Sequence, residues 1–123
     1  MNKEDYSLEI KIAIEAAKEA AKILLKDKNK ISISNTTNKR DTKLKADIAS
    51  EDVIKEIIKS NSDYQILAEE SGQSSNDMGN IFWIVDPLDG TANYSRDIPI
   101  CCISIGLVNN LKPIFGVIYD FNN

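Results

Sequence analysis

Apolar residues near the start of the chain recur with the period of an α-helix. The spacing predicts one long helix over residues 2–26. Its apolar face comprises Ile10, Ala13, Ala17, Ala20 and Leu24. Charged residues decorate the other faces, namely Lys11, Glu15, Lys18, Glu19 and Lys22. We therefore predict an amphipathic helix that packs against a hydrophobic core.

A second helix is predicted further along the chain. Residues 31–34 are typical of a short strand, and the polar residues 35–40 predict a loop. Asp47 or Ser50 can then cap a helix. Two acids would lie in its first turn and four aliphatic residues on its apolar face, namely Glu51, Asp52, Val53, Ile54, Ile57 and Ile58.

The rest of the chain has the pattern of β-structure. Strands are predicted over residues 64–68, 81–85, 101–108 and 113–119. Residues 109–112 between the last two strands predict a hairpin turn. The chain has no internal repeat and no low-complexity linker. We predict a single α+β domain over residues 1–123, with two helices packed on a mainly antiparallel sheet.

Two carboxylates follow the second predicted strand on a tight turn. Asp86 and Asp89 are hard oxygen donors, and Pro87 fixes the backbone between them. The carbonyl of Leu88 can point the same way as both side chains. Mg²⁺ favours this combination of ligands.

The next two residues suit a phosphate group. Gly90 and Thr91 lie at the start of a predicted helical turn, where backbone N–H groups have no partner within the helix. Such N–H groups can bind and stabilise a phosphate. The alternative is that the Asp-Gly pair at 89–90 simply reverses the chain between two strands, because Asp-Gly is common in hairpin turns.

The composition excludes several classes of function. With 15 basic and 19 acidic residues, no overall field would attract nucleic acid. No apolar run approaches the roughly 18 residues that a membrane span needs. We expect neither partner. A short basic cluster is interpreted as a solvated loop, with the alternative that one or two of its cations face a substrate phosphate: Lys39, Arg40, Lys43 and Lys45.

The chain contains no histidine and only two cysteines. The lack of histidine excludes histidine bases, Ser-His-Asp catalysis and the usual zinc sites. Cys101 and Cys102 are neighbours that point to opposite faces of a strand, so no disulfide is expected between them. A reducing compartment and the absence of a signal-peptide pattern predict the cytoplasm. Any catalysis would therefore depend on carboxylates and metal ions.

Three motifs carry a resemblance to a known family. The segment 86–93, Asp-Pro-Leu-Asp-Gly-Thr-Ala-Asn, resembles the DPxDGTxN signature of the inositol monophosphatase family. Residues 68–71 resemble its (G/A)EES element, and Asp41 to Asp47 followed by Glu51 resemble its DxVTxxD…E segment. The family comprises lithium-sensitive, Mg²⁺-dependent phosphatases, fructose-bisphosphatases and 3′-phosphoadenosine phosphatases among them.

The resemblance implies a set of metal ligands in the sugar-phosphatase fold. Glu69, Asp86 and the Leu88 carbonyl would hold one Mg²⁺ ion. Asp86 would bridge to a second ion that Asp89 also binds. Two or three ions are implied, and Mn²⁺ is a possible substitute. Glu70 would support the site without binding metal.

The resemblance also implies roles in catalysis. Asp47 and Thr91 would orient the attacking water, and the N–H groups of Gly90 and Thr91 would bind the phosphate. The residues Lys-Leu-Lys at 43–45, in the segment that precedes Asp47, depart from the family pattern of small or β-branched residues and a Thr.

Length separates this chain from the family's catalytic unit. That unit is about twice as long by resemblance and has a WDxAAG motif with a further metal-binding Asp, which is absent here. We expect an N-terminal portion, weakly active or inactive alone, of an enzyme that is a homodimer at full length. The substrate would be an inositol or sugar monophosphate. The alternatives are a 3′-phosphoadenosine 5′-phosphate phosphatase of sulfur metabolism and a non-catalytic metal-binding remnant.

Overall fold

The computed structural model describes residues 5–33, 36–90, 94 and 101–122. Within these ranges, two helices, α1 (Ser7–Ile33) and α2 (Thr36–Asn61), are followed by five strands, β1 (Gln65–Ala68), β2 (Gly72–Gln73), β3 (Ile81–Asp89), β4 (Cys102–Asn109) and β5 (Lys112–Tyr119). The strands form one sheet in the order β2-β1-β3-β4-β5. Only β1 and β3 are parallel among these neighbours. The prediction of two helices on a mainly antiparallel sheet is confirmed.

The core lies between the helices and one face of the sheet. Small residues line the buried stripe of α1, and larger side chains from α2 and the sheet fill the space opposite, namely Ala13, Ala16, Ala17, Ala20, Ala21, Ile54, Ile58, Trp83, Ile103, Ile105 and Leu107. Alanines allow α2 and the sheet to approach α1 closely. Ile10 was predicted on this stripe but is 38% exposed, because it lies at the flank of the stripe near the first turn.

The helix boundaries differ from the sequence prediction. Helix α1 continues through Ile33, where a strand was predicted over 31–34, and α2 begins at Thr36, inside the predicted loop 35–40. Ser34 and Asn35 lie outside the described residues. No glycine or proline occurs between the two helix starts to end the helical pattern. Asp47 and Ser50 consequently lie inside α2 and do not cap it.

The hairpin between β4 and β5 is confirmed. Asn110 and Leu111 form its two-residue turn, with φ angles of 52° and 64°. Positive φ at both positions is typical of a type I′ turn, whose twist matches that of the strands.

The short strand β2 was not predicted, since two residues are too few for a periodic signal. No helix within the described ranges combines the length and the apolar character needed to cross a membrane.

Candidate active site

The parallel pairing of β1 and β3 brings two of the acidic motifs together. Ala68 pairs with Val85 at the end of β1, and the N–H of Glu69 donates to the Val85 carbonyl at 3.3 Å. The next residue of each strand is acidic, Glu69 after β1 and Asp86 in β3. Because parallel strands run in the same direction, these two residues reach the same edge of the sheet.

Glu69 and Asp86 form a carboxyl pair. A hydrogen bond between their side chains is the largest cause that raises the pKa of Glu69 to about 7. Desolvation adds to the shift, and so do the negative charges of Asp86, Glu70 and Asp47. Glu69 therefore retains its proton to a higher pH than an ordinary glutamate, in a hydrogen bond to Asp86. A divalent cation can replace that proton, so the pair fits the hard oxygen ligands that Mg²⁺ requires.

A bulge in β3 separates Asp86 from Asp89. Asp86 pairs with Ser104 and Asp89 pairs with Cys102, so β3 has one extra residue over this span. The N–H of Leu88 donates to Asp86 Oδ1 at 3.2 Å, and the Leu88 side chain is buried. The predicted tight turn is thus an irregular continuation of the strand, because its buried apolar residue remains in the core.

Asp89 faces β4 at the end of the bulge. It is exposed, and Cys102 Sγ lies 3.9 Å from its Oδ2. Burial, followed by the charges of Asp89 and Asp86, raises the pKa of the Cys102 thiol. Neither Cys101 nor Cys102 forms a disulfide, as the sequence predicted.

Helix α2 contacts the backbone on which the two acids lie. Asp47 is 7% exposed, and its charge acts on the carboxyl of Glu69. Ser50 Oγ donates to the carbonyl of Pro87 at 3.2 Å. Glu51 accepts hydrogen bonds from the backbone N–H groups of the turn that follows Glu69. Asp47 is thus near enough to Glu69 for its charge to help raise the pKa of that carboxyl.

The part played by Glu51 was missed by sequence reasoning. The sequence assigned it to the first turn of a helix and to a family motif. One signal was available, because Asp47 and Glu51 are four residues apart and so share a face of α2. The same face of α2 buries Ile54 and Ile58. Asp47 and Glu51 are therefore expected to turn toward the fold and to contact polar groups there.

The predicted phosphate-binding segment is described only in part. Gly90 has a φ of 83°, a conformation that favours glycine, and its carbonyl accepts the N–H of Tyr94 at 3.0 Å. Thr91 lies outside the described residues. The roles assigned to Gly90 and Thr91 stay predictions.

The predicted ligands do not all converge. Across the part of the chain that the structure describes, no group of three or more Cys, Asp or Glu side chains stands close enough together to hold a metal ion. Glu69 and Asp86 meet, whereas Asp89 does not join them in such a group. Of the basic cluster, Lys45 is exposed, and the side chains at 39, 40 and 43 lie outside the described residues.

Comparison with known proteins decides the family. The model of the inositol monophosphatase family matches residues 5–122. This chain belongs to the inositol monophosphatase family. The three sequence motifs are thus confirmed as a family resemblance, and the inositol monophosphatase fold accounts for the two helices and the mixed sheet.

Individual relatives agree with this assignment. The chain is 38% identical over 114 residues to Nus factor SuhB of Xylella fastidiosa, which covers 90% of this chain and 41% of that protein. It is 46% identical over 76 residues to inositol-1-monophosphatase of Synechocystis sp., covering 61% of this chain and 26% of that protein. The structure of inositol monophosphatase from Anabaena (Nostoc) sp. PCC 7120 is 42% identical, with a TM-score of 0.71, and covers 90% of this chain and 39% of that one. The chain spans about two fifths of the length of SuhB.

Proposed function

We propose that this chain forms the metal-binding part of a Mg²⁺-dependent phosphomonoesterase that hydrolyses inositol or sugar monophosphates. The single observation that carries the proposal is the carboxyl pair formed by Glu69, directly after β1, and Asp86, within the parallel strand β3. Membership of a phosphatase family supports the reaction class. The absence of histidine from the chain leaves oxygen ligands as the natural choice for a metal.

Four residues would hold the ions, namely Glu69, Asp86, Asp89 and Leu88 through its carbonyl. When bound, Mg²⁺ activates a water, neutralises charge on the phosphoryl group and stabilises the leaving oxygen. Mn²⁺ offers similar coordination by oxygen and is a suitable probe.

The remaining roles belong to groups of the chain itself. Asp47 is a buried carboxylate near Glu69, and there it would accept a proton that the Thr91 hydroxyl relays from the attacking water. The N–H groups of Gly90 and Thr91 would bind the phosphate oxygens. The positive φ of Gly90 supports this role, because it allows the backbone to turn its N–H groups toward a ligand.

Calorimetric titration of Mg²⁺ or Mn²⁺ into the chain tests the proposal. We expect binding by the native chain and at least about a 10-fold weaker affinity for Asp86→Asn, because that variant loses the negative charge shared by both predicted sites. Asp63→Asn is the matched control, since Asp63 is exposed and precedes β1 at the end opposite Glu69. Equal heats from the native chain and Asp86→Asn would contradict the assignment.

Substrate choice requires a separate assay. A 3′-phosphoadenosine 5′-phosphate phosphatase shares every motif visible here. Inositol 1-phosphate, fructose 1,6-bisphosphate and 3′-phosphoadenosine 5′-phosphate therefore form the test panel, applied to a protein that also contains the remaining length of its relatives. The highest kcat/KM identifies the substrate, and metal binding without turnover of any panel member would indicate a non-catalytic metal-binding protein.

Location and assembly are part of the same proposal. Two cysteines outside any disulfide support the reducing environment of the cytoplasm. A homodimer is proposed for the protein at the length of its relatives. Gel filtration of that protein with light scattering would test it.

A further inference from the structure

Two adjacent residues of helix α2 are hydrogen-bonded to the backbone that directly follows each acid of the carboxyl pair. Glu51 contacts the turn that follows Glu69, and Ser50 contacts the residue that follows Asp86. The two acids come from different strands and are separated by 17 positions. Adjacent residues of one helix therefore connect the backbone segments on which both acids lie.

The contact made by Glu51 uses both oxygens of its carboxylate. Oε1 accepts the N–H of Glu70 at 2.8 Å, and Oε2 accepts the N–H of Ser71 at 3.1 Å. Glu51 is only 3% exposed, so water competes little for these bonds. Hydrogen bonds from backbone N–H groups to a buried carboxylate are charge-assisted and are among the strong ones in proteins.

These bonds fix the backbone on both sides of Glu69. Its own N–H is bonded to the Val85 carbonyl in the sheet, and the next two N–H groups are bonded to Glu51. Lys55 lies one turn along α2 and adds an exposed hydrogen bond to Ser71 Oγ at 3.0 Å. The direction in which Glu69 leaves the sheet is therefore determined by α2 and β3 together.

The partner strand is held in the same way. Ser50 is fully buried, and its Oγ donates to the Pro87 carbonyl at 3.2 Å. Pro87 directly follows Asp86 and lies in the bulge of β3. A helix is a stiff element, so adjacent contacts from α2 hold the two segments at one spacing.

We propose that Glu51 is a positioning residue for the Glu69–Asp86 pair, with Ser50 as its partner on the Asp86 side. Glu51 does not touch metal or substrate, and it acts by holding the backbone from which Glu69 projects. This inference rests on the proposed function, because the pair is assigned there as metal ligands. The role requires a carboxylate, since one glutamine side chain has a single oxygen and cannot accept both N–H groups in this geometry.

The test compares Glu51→Gln with Glu56→Gln in the 123-residue chain. Both changes remove one glutamate charge from α2, but Glu56 is exposed. We expect Glu51→Gln to weaken Mn²⁺ binding by about 10- to 100-fold in calorimetry, the usual effect of losing a group that orients a metal ligand. Ser50→Ala should weaken it in the same direction. Glu56→Gln should bind Mn²⁺ like the native chain.

A control variant distinguishes the loss of the Glu51 contacts from a general loss of folding stability. Ile58→Val trims a fully buried side chain on α2 and lowers the melting temperature without altering the Glu51 contacts. All titrations are performed where circular dichroism shows the variants folded. If Ile58→Val weakened Mn²⁺ binding as much as Glu51→Gln, a role for Glu51 in positioning would be refuted.

A measurement without metal separates this inference from the proposed function. Amide hydrogen exchange followed by NMR should show protection at Glu70 and Ser71 in the native chain and at least about a 10-fold loss in Glu51→Gln. Unchanged protection at both amides would overturn the inference, whatever the chain binds. Loss of protection in a chain whose native form binds no Mn²⁺ would support the holding contact and refute the metal assignment of the proposed function.

Discussion

At the scale of residues, the proposed metal site depends on the hydrogen-bonded carboxyl groups of Glu69 and Asp86. The hydrogen bond that the Glu69 carboxyl donates to Asp86, desolvation and the surrounding negative charge raise the pKa of Glu69 to about 7. A carboxylate pair of this kind is costly to ionise without a cation, which is a common property of sites that bind metal. The same feature makes the stability of the metal-free chain depend on pH.

The pH dependence has a definite sign. The pKa of Glu69 is higher in the folded chain than its ordinary value of 4.5, so folding favours the protonated form. The stabilisation is complete below about pH 4.5 and is lost as the pH rises through about 7. In EDTA, the melting temperature of the native chain should therefore fall more between pH 5 and pH 8 than that of Glu69→Gln. Parallel pH profiles for the two proteins would show that the pKa of Glu69 is not raised in the folded chain.

At the scale of elements, sequence reasoning predicted what periodicity and turn chemistry encode. Helix α2 buries Ile54 and Ile58 as expected, and the β4–β5 hairpin follows the predicted turn. The parallel contact of β1 with β3 was not predicted, because pairing between distant segments leaves no mark in local periodicity. The sequence motifs identified Glu69 and Asp86 as candidate ligands. Only the pairing of β1 with β3 brings the two residues close together.

The bulge in β3 and the polar contacts of α2 could also not be predicted from the sequence. Asp86 to Asp89 had the pattern of a tight turn, whereas β3 continues through them with a bulge. The buried Leu88 explains the difference, since its apolar side chain is retained by the core. The polar contacts of Ser50 and Glu51 depend on the position of β3 and of the turn after β1, which only the tertiary fold determines.

The hairpin turn contains an unfavourable residue. Leu111 has a φ of 64°, a left-handed conformation in which its Cβ crowds the backbone. Its side chain is 85% exposed, so burial offsets little of this cost. Leu111→Gly should raise the free energy of unfolding by about 0.5–1 kcal/mol in urea denaturation. Leu111→Ala is the control, because it removes the side chain but keeps the Cβ that causes the strain. Equal stabilities for the two variants would argue against this explanation.

At the scale of the whole molecule, the described site is partial. Glu69 and Asp86 meet near Asp47, while no third acid of the described residues completes a metal cluster. Mg²⁺ loses its hydration reluctantly and binds poorly where few charged ligands are available. The resemblance to the family implies a further metal-binding Asp in a WDxAAG motif, and that motif does not occur in these 123 residues.

The 123-residue chain alone should consequently hydrolyse phosphate esters at a negligible rate. The assay uses inositol 1-phosphate, fructose 1,6-bisphosphate and 3′-phosphoadenosine 5′-phosphate in millimolar Mg²⁺, with Asp86→Asn as the background control. Metal-dependent turnover in the ordinary enzymatic range of about 1 to 10³ per second, absent from Asp86→Asn, would show that these residues suffice for catalysis.

A crystal structure of the chain soaked in Mn²⁺, with anomalous scattering used to locate the ion, tests directly whether Glu69 and Asp86 bind metal. We expect an anomalous peak between the carboxyl groups of Glu69 and Asp86, within about 2.2 Å of an oxygen from each, and loss of the hydrogen bond between them. Asp86→Asn crystals treated in the same way should lack the peak. A Mn²⁺ ion bound elsewhere, with Glu69 and Asp86 still hydrogen-bonded to each other, would contradict the assignment of this pair as the metal site.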